Sequence, residues 1–77
     1  MHELGLAMEV VDIVTRRAGA ARVRRVVVEV GALAAVLPEA LSFSFQLASE
    51  GTSAEGAELR IVELEGNELR VREMELI

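Results

Sequence analysis

Pro38-Glu39-Ala40-Leu41-Ser42-Phe43-Ser44-Phe45-Gln46-Leu47-Ala48-Ser49-Glu50-Gly51 is the stretch on which the fold turns. Taken alone, Leu41, Phe43, Phe45 and Leu47 alternate with Ser42, Ser44, Gln46 and Ala48, which is a strand pattern. The ends say otherwise. Pro38 and Glu39 make a good first helical turn, because proline's missing amide is no loss there and an acid favours the helix dipole. Gly51 stands where a helix stops, and Ala40, Leu41, Ser44, Phe45 and Ala48 form one helical face. The spacing predicts a helix over Pro38 to Glu50.

Upstream, Leu6, Val10, Ile13, Val14 and Ala18 recur at helical spacing from about Leu4 to Ala18, with Glu9, Asp12, Arg16 and Arg17 largely elsewhere on the wheel. Gly19 is a natural stop. Arg22 to Val30 is dense in valine: Val26, Val28 and Val30 share one face, and Arg25, Val27 and Glu29 share the other. That is a half-buried strand closed by Gly31. Downstream, Glu58 to Leu64 and Glu68 to Leu76 alternate on either side of Gly66-Asn67. A glycine followed by asparagine suits a type II′ turn, so the last two strands are expected to pair as an antiparallel hairpin. In the final strand Leu69 and Val71 share a face, but Met74 and Leu76 fall on the other. A β-bulge near Arg72 and Glu73 would restore a single apolar face. The expected architecture is α+β, ordered helix-strand-helix-strand-strand, with two helices packed on one face of a three-stranded sheet. The order of strands across that sheet stays open.

Seventy-seven residues make one domain, residues 1–77, and 52% hydrophobic content is enough for its core. The formal charge of −5 and the lack of an aromatic-interleaved basic stripe argue against nucleic acid. Arg22, Arg24 and Arg25 read as solvated charge at a strand start. No apolar run reaches membrane-spanning length, and no signal pattern opens the chain, so it reads as cytoplasmic with no membrane partner. Zero cysteine excludes a thiolate nucleophile and a zinc ribbon. Glu63, Glu65, Glu68, Glu73 and Glu75 are scattered as solvated strand positions, and no phosphate loop follows a strand, so the chain is not read as an enzyme.

His2 is the only histidine and lies beside the α-amine of Met1. The amine, the amide nitrogen of residue 2 and its imidazole can close adjacent chelate rings on one ion, and nitrogen-rich planar sites suit Ni(II) and Cu(II). The alternative is the second residue of a solvated terminus.

Met1-His2-Glu3-Leu4-Gly5-Leu6-Ala7 followed by an amphipathic helix resembles the opening of the HypA/HybF hydrogenase nickel-incorporation proteins. The likeness continues through Val28-Glu29-Val30-Gly31-Ala32-Leu33, Val36-Leu37-Pro38-Glu39-Ala40-Leu41, Phe45, Gly51-Thr52 and Ala54-Glu55-Gly56-Ala57-Glu58-Leu59. The tail, Gly66-Asn67-Glu68-Leu69-Arg70-Val71 with Met74-Glu75-Leu76, is similar to that family's final strand. The resemblance implies a nickel metallochaperone that binds Ni(II) through Met1, His2 and Glu3. It also implies a GTPase maturation partner and a nickel enzyme precursor as recipient. Glu3 would serve the metal site or act as a helix-start carboxylate. Family members carry a zinc ribbon between the penultimate and last strands. Here Leu64-Glu65 runs straight into Gly66-Asn67, so the ribbon is missing between about residues 64 and 67 and no zinc is expected. The rival reading is a metal-free protein–protein interaction module that keeps only the family fold.

Overall fold

A computed structural model describes residues 2–77; Met1, the first of the expected nickel ligands, lies outside the described residues. Helix α1 spans His2–Ala18, strand β1 Val23–Gly31, helix α2 Pro38–Ser49, strand β2 Glu58–Leu64 and strand β3 Leu69–Leu76. A single 3-10 turn, Ala32–Ala34, follows β1. The expected class and element order are those observed. Helix α1 begins at His2, so His2 belongs to the first turn instead of preceding the helix.

The Pro38 helix forms because its ends are specified. Proline occupies the first turn, Glu39 is its acid, and the face expected from the spacing is turned inward. Leu41 and Phe45 are among the largest fully buried side chains, each worth about 1.5–3 kcal/mol of burial. In α1 the inward face is Ala7, Val10, Val11, Val14 and Ala18. Ile13 is exposed, correcting its place in the expected stripe. It sits one step round the helix, beside the β3 segment Val71–Met74.

The sheet runs β2-β1-β3, with β1 parallel to β2 and antiparallel to β3. The expected β2–β3 hairpin does not form. β1 is the most apolar strand, and Val26, Val27, Val28 and Val30 are all buried, so it takes the centre, where pairing on both sides is satisfied. The charge-alternating strands take the edges, as edge strands in water do. The helix between β1 and β2 supplies the long crossover that a parallel pair requires. The bulge at Arg72 is present: Val27 pairs with Glu73 and Val28 with Val71, leaving Arg72 unopposed. A second irregularity leaves Arg24 unopposed between Val23 and Arg25.

Since β2 and β3 flank β1, their connection must pass over the end of β1. Gly31 makes this possible. It is buried as the last residue of β1, and a Cβ there would stand 2.6 Å from the Asn67 nitrogen and nearer still to the Gly66 carbonyl. The crossing loop is fastened by Gly31 N–H donating to the Glu68 carbonyl at 2.7 Å and by Leu33 N–H donating to the Gly66 carbonyl at 2.8 Å.

Both helices cover one face of the sheet. The other carries ion pairs: Arg25 with Glu58 and Glu75, and Glu29 with Arg70 and Arg72. Arg25 is therefore half-buried in pairs, while Arg22 and Arg24 are exposed as expected. Val27 lies on this open face opposite Arg60 and Glu73, whose aliphatic stems can cover it.

Candidate metal centre at the N-terminus

The first turn of α1 sets out the candidate donors. The leading amides of an α-helix have no intrahelical acceptor. The His2 amide is one of these, so engaging it costs the helix no hydrogen bond. The His2 ring is exposed and its Nε2 stands 3.8 Å from Glu3 Oε2. That is too long for a hydrogen bond, so the two side chains are neighbours without being bonded.

Glu3 is only 6% exposed, unusual for a carboxylate at a chain end. Its Oε2 accepts the Leu37 N–H at 3.1 Å, across 34 residues of chain. Leu37 caps α2 and has no side-chain cap of its own, so the Glu3 carboxylate supplies negative charge at the start of α2 as well as α1. The Leu37 N–H holds the Glu3 carboxyl below its ordinary value of 4.5; burial opposes this, and the Glu3 amide and the His2 ring assist.

Leu37 is reached through a strained segment. After the Ala32–Ala34 turn, Ala35 has φ +57°, a left-handed conformation that costs a non-glycine residue about 1–2 kcal/mol. That strain is held between the Leu33 tie to the crossing loop and the Leu37 tie to Glu3.

Of the expected ligands, His2 and Glu3 are thus neighbours on one helical turn, and Met1 lies outside the described residues. Sequence reasoning missed Leu37, because nothing in the spacing links a backbone N–H to a carboxylate so far away in sequence. Among the described residues, no group of three His, Cys, Asp or Glu side chains could hold a metal ion. A metal centre here needs main-chain donors as well. No helix among them is long and apolar enough to cross a membrane.

Residues 1–67 match the family model described as hydrogenase/urease nickel incorporation, metallochaperone, hypA. The hydrogenase maturation factors HypA of Trichormus variabilis and Nostoc punctiforme are 48% and 46% identical over 66 residues, covering 86% of this chain and 58% of each relative. The factor of the same name from Chlorobium limicola is 48% identical over 67 residues, 83% of this chain and 58% of its own. The chain thus spans little more than half the length of these relatives. A solution structure of a HypA protein shares the fold at a TM-score of 0.71, covering 96% of this chain and 92% of that one at 16% identity. On the match of residues 1–67 and these identities, the chain belongs to the HypA family of hydrogenase and urease nickel-incorporation metallochaperones.

Proposed function

We propose that this chain carries Ni(II) on its N-terminus and passes it to the maturation machinery of a nickel enzyme. The observation that carries the reading is an exposed imidazole, the chain's only one, in the first turn of a helix whose leading amides have no intrahelical acceptor. The Met1 α-amine, the His2 amide and the His2 ring are the proposed donors. Glu3 lies beside the His2 ring, its carboxylate held by the Leu37 N–H. The exposed His2 ring permits ligand exchange, which a carrier needs and an enzyme's resident metal does not. The role is delivery without catalysis, with a GTPase and a nickel enzyme precursor as partners in the cytoplasm.

The domain reading accompanies this. The family match stops at Asn67, inside the four-residue crossing loop and just before β3. We read residues 1–77 as the nickel-binding domain, with the zinc ribbon missing from that loop and no zinc required.

Nickel titration of the untagged protein tests the reading, followed by the absorbance of planar Ni(II). The expected outcome is stoichiometric binding that is lost in His2→Ala and weakened by acetylating the α-amine, which removes its donor lone pair. Unchanged affinity in His2→Ala would refute the terminal site. Absence of nickel binding by the wild type would favour the metal-free interaction module.

A further inference from the structure

Strand β3 pairs with β1 alone among the described residues, so its outer edge presents main-chain N–H and C=O groups without strand partners. The bulge gives that edge a symmetry of its own. Leu69, Val71 and Met74 pack against the core, and Leu76 stands opposite buried Val23 on the same face. Arg70 and Glu75 stand opposite Glu29 and Arg25 on the open face, and the bulge residues Arg72 and Glu73 lie midway. Read outward from that midpoint in either direction, the strand runs charged, apolar, charged, apolar.

Two copies of one strand paired antiparallel are related by a two-fold axis normal to the sheet. In a regular strand that axis sets a residue against itself, here Arg72 on Arg72 or Glu73 on Glu73, which repel. The extra residue of the bulge lets the axis fall between them. Arg72 then meets Glu73 of the second copy, Val71 meets Met74, Arg70 meets Glu75 and Leu69 meets Leu76. Every base faces an acid and every apolar residue an apolar one, on matching faces of the sheet. Strand β2, the other edge, has no such register. An axis at Arg60 sets like charges together, and one at Ile61 or Val62 sets Glu63 against an aliphatic residue.

Helix α1 carries the same symmetry. Ile13 and Arg17 lie beside Val71–Met74, at the midpoint of the strand, and Ile13 is 46% exposed. Glu9, Ile13 and Arg17 follow at four-residue intervals on one flank, and neither charge forms an ion pair among the described residues. The axis that reverses β3 also reverses α1, which turns Glu9 toward Arg17 of the second copy with Ile13 between. Because α1 rests on both β1 and β3, its two copies lie two strand spacings apart, about 10 Å, the distance at which helices pack.

We propose that β3 pairs antiparallel with β3 of a second copy of this chain, joining two three-stranded sheets into one with both helix layers on the same face. The occupant is a second copy because it carries, in reverse order, the charges this edge requires; an unrelated strand does so only by coincidence. The proposal goes beyond nickel carriage and does not rest on it.

The test uses the full untagged chain in buffer containing a chelator. Sedimentation equilibrium at up to about 1 mM protein is expected to show a reversible monomer–dimer equilibrium. Hydrogen exchange read by mass spectrometry is expected to slow in β3 as concentration rises, with β2 unchanged. Glu73→Arg sets like charges against Arg72 on both sides of the axis and is expected to weaken the dimer at least about tenfold. Adding Arg72→Glu to that variant restores opposite charges and is expected to recover most of the loss. Should the variants fail to fold, the concentration-dependent protection of wild-type β3 decides alone. A monomer at every concentration, a dimer whose protection falls on β2 or on the helices alone, wild-type association in Glu73→Arg, or no recovery in the double variant overturns the proposal.

Discussion

Glu3 shows how one side chain can be fixed by a partner that sequence order does not reveal. Its carboxylate is buried and charged because the Leu37 N–H donates to it, so its pKa in the folded protein lies below the ordinary 4.5. A group with a depressed folded pKa contributes stability that is complete above its unfolded pKa and is lost as pH falls through the folded one. Glu3→Gln is therefore expected to melt below the wild type at neutral pH, with the gap closing as pH drops from about 5 into the acid range. Thermal melts of both proteins across that range check this; a gap that stays constant would show that the carboxylate's charge does not hold the tether. The residue types of Met1 and His2 alone suggest the proposed chelate, without any knowledge of the fold. What the Glu3 side chain does was not legible there, because its partner is a main-chain group 34 residues away whose position depends on the finished fold.

Helix α2 and the β2–β3 connection show where local signals suffice and where they fail. The helix was legible against its own alternation because proline, acid and glycine mark its ends, and those preferences act within a turn. Gly66-Asn67 also carried a local signal, for a hairpin, and there a longer-range effect wins. The valine-rich β1 gains more from pairing on both sides than the edge strands gain from pairing with each other. The signature of the crossing is Gly31, read from the sequence only as a strand end. Gly31→Ala would push a Cβ into the Gly66 carbonyl and the Asn67 nitrogen, backbone atoms that must move. Urea unfolding is expected to show a loss of about 1–3 kcal/mol. Gly5→Ala, in an open helical position, is expected to gain about 0.5–1 kcal/mol. Equal effects of the two substitutions would mean that the loop does not press on β1.

The whole molecule has one apolar core, built from both helices and β1, closed on one side of a sheet and contained within a Cα radius of gyration of 11.5 Å. None of its core residues is a metal ligand in kind, so removing metal leaves the packing intact. Circular dichroism is expected to show one cooperative melt, unchanged by a chelator. A broad, non-cooperative melt would show that the core cannot hold itself together in this length of chain. The class and element order were legible because each element carries its own apolar period. Strand order was not, since it depends on competition among all three strands. Passing the β2–β3 connection over Gly31 also bears on time. A sheet containing a hairpin can begin from neighbours in sequence, but here every strand pair is remote: even Arg25 must find Glu58, and Val30 must find Leu69. The loop over Gly31 is complete only when all three strands are in place. A domain this small, two of whose five elements are helices, would be expected to fold fast; loop-closure entropy instead puts its sheet among the slower assemblies for its size.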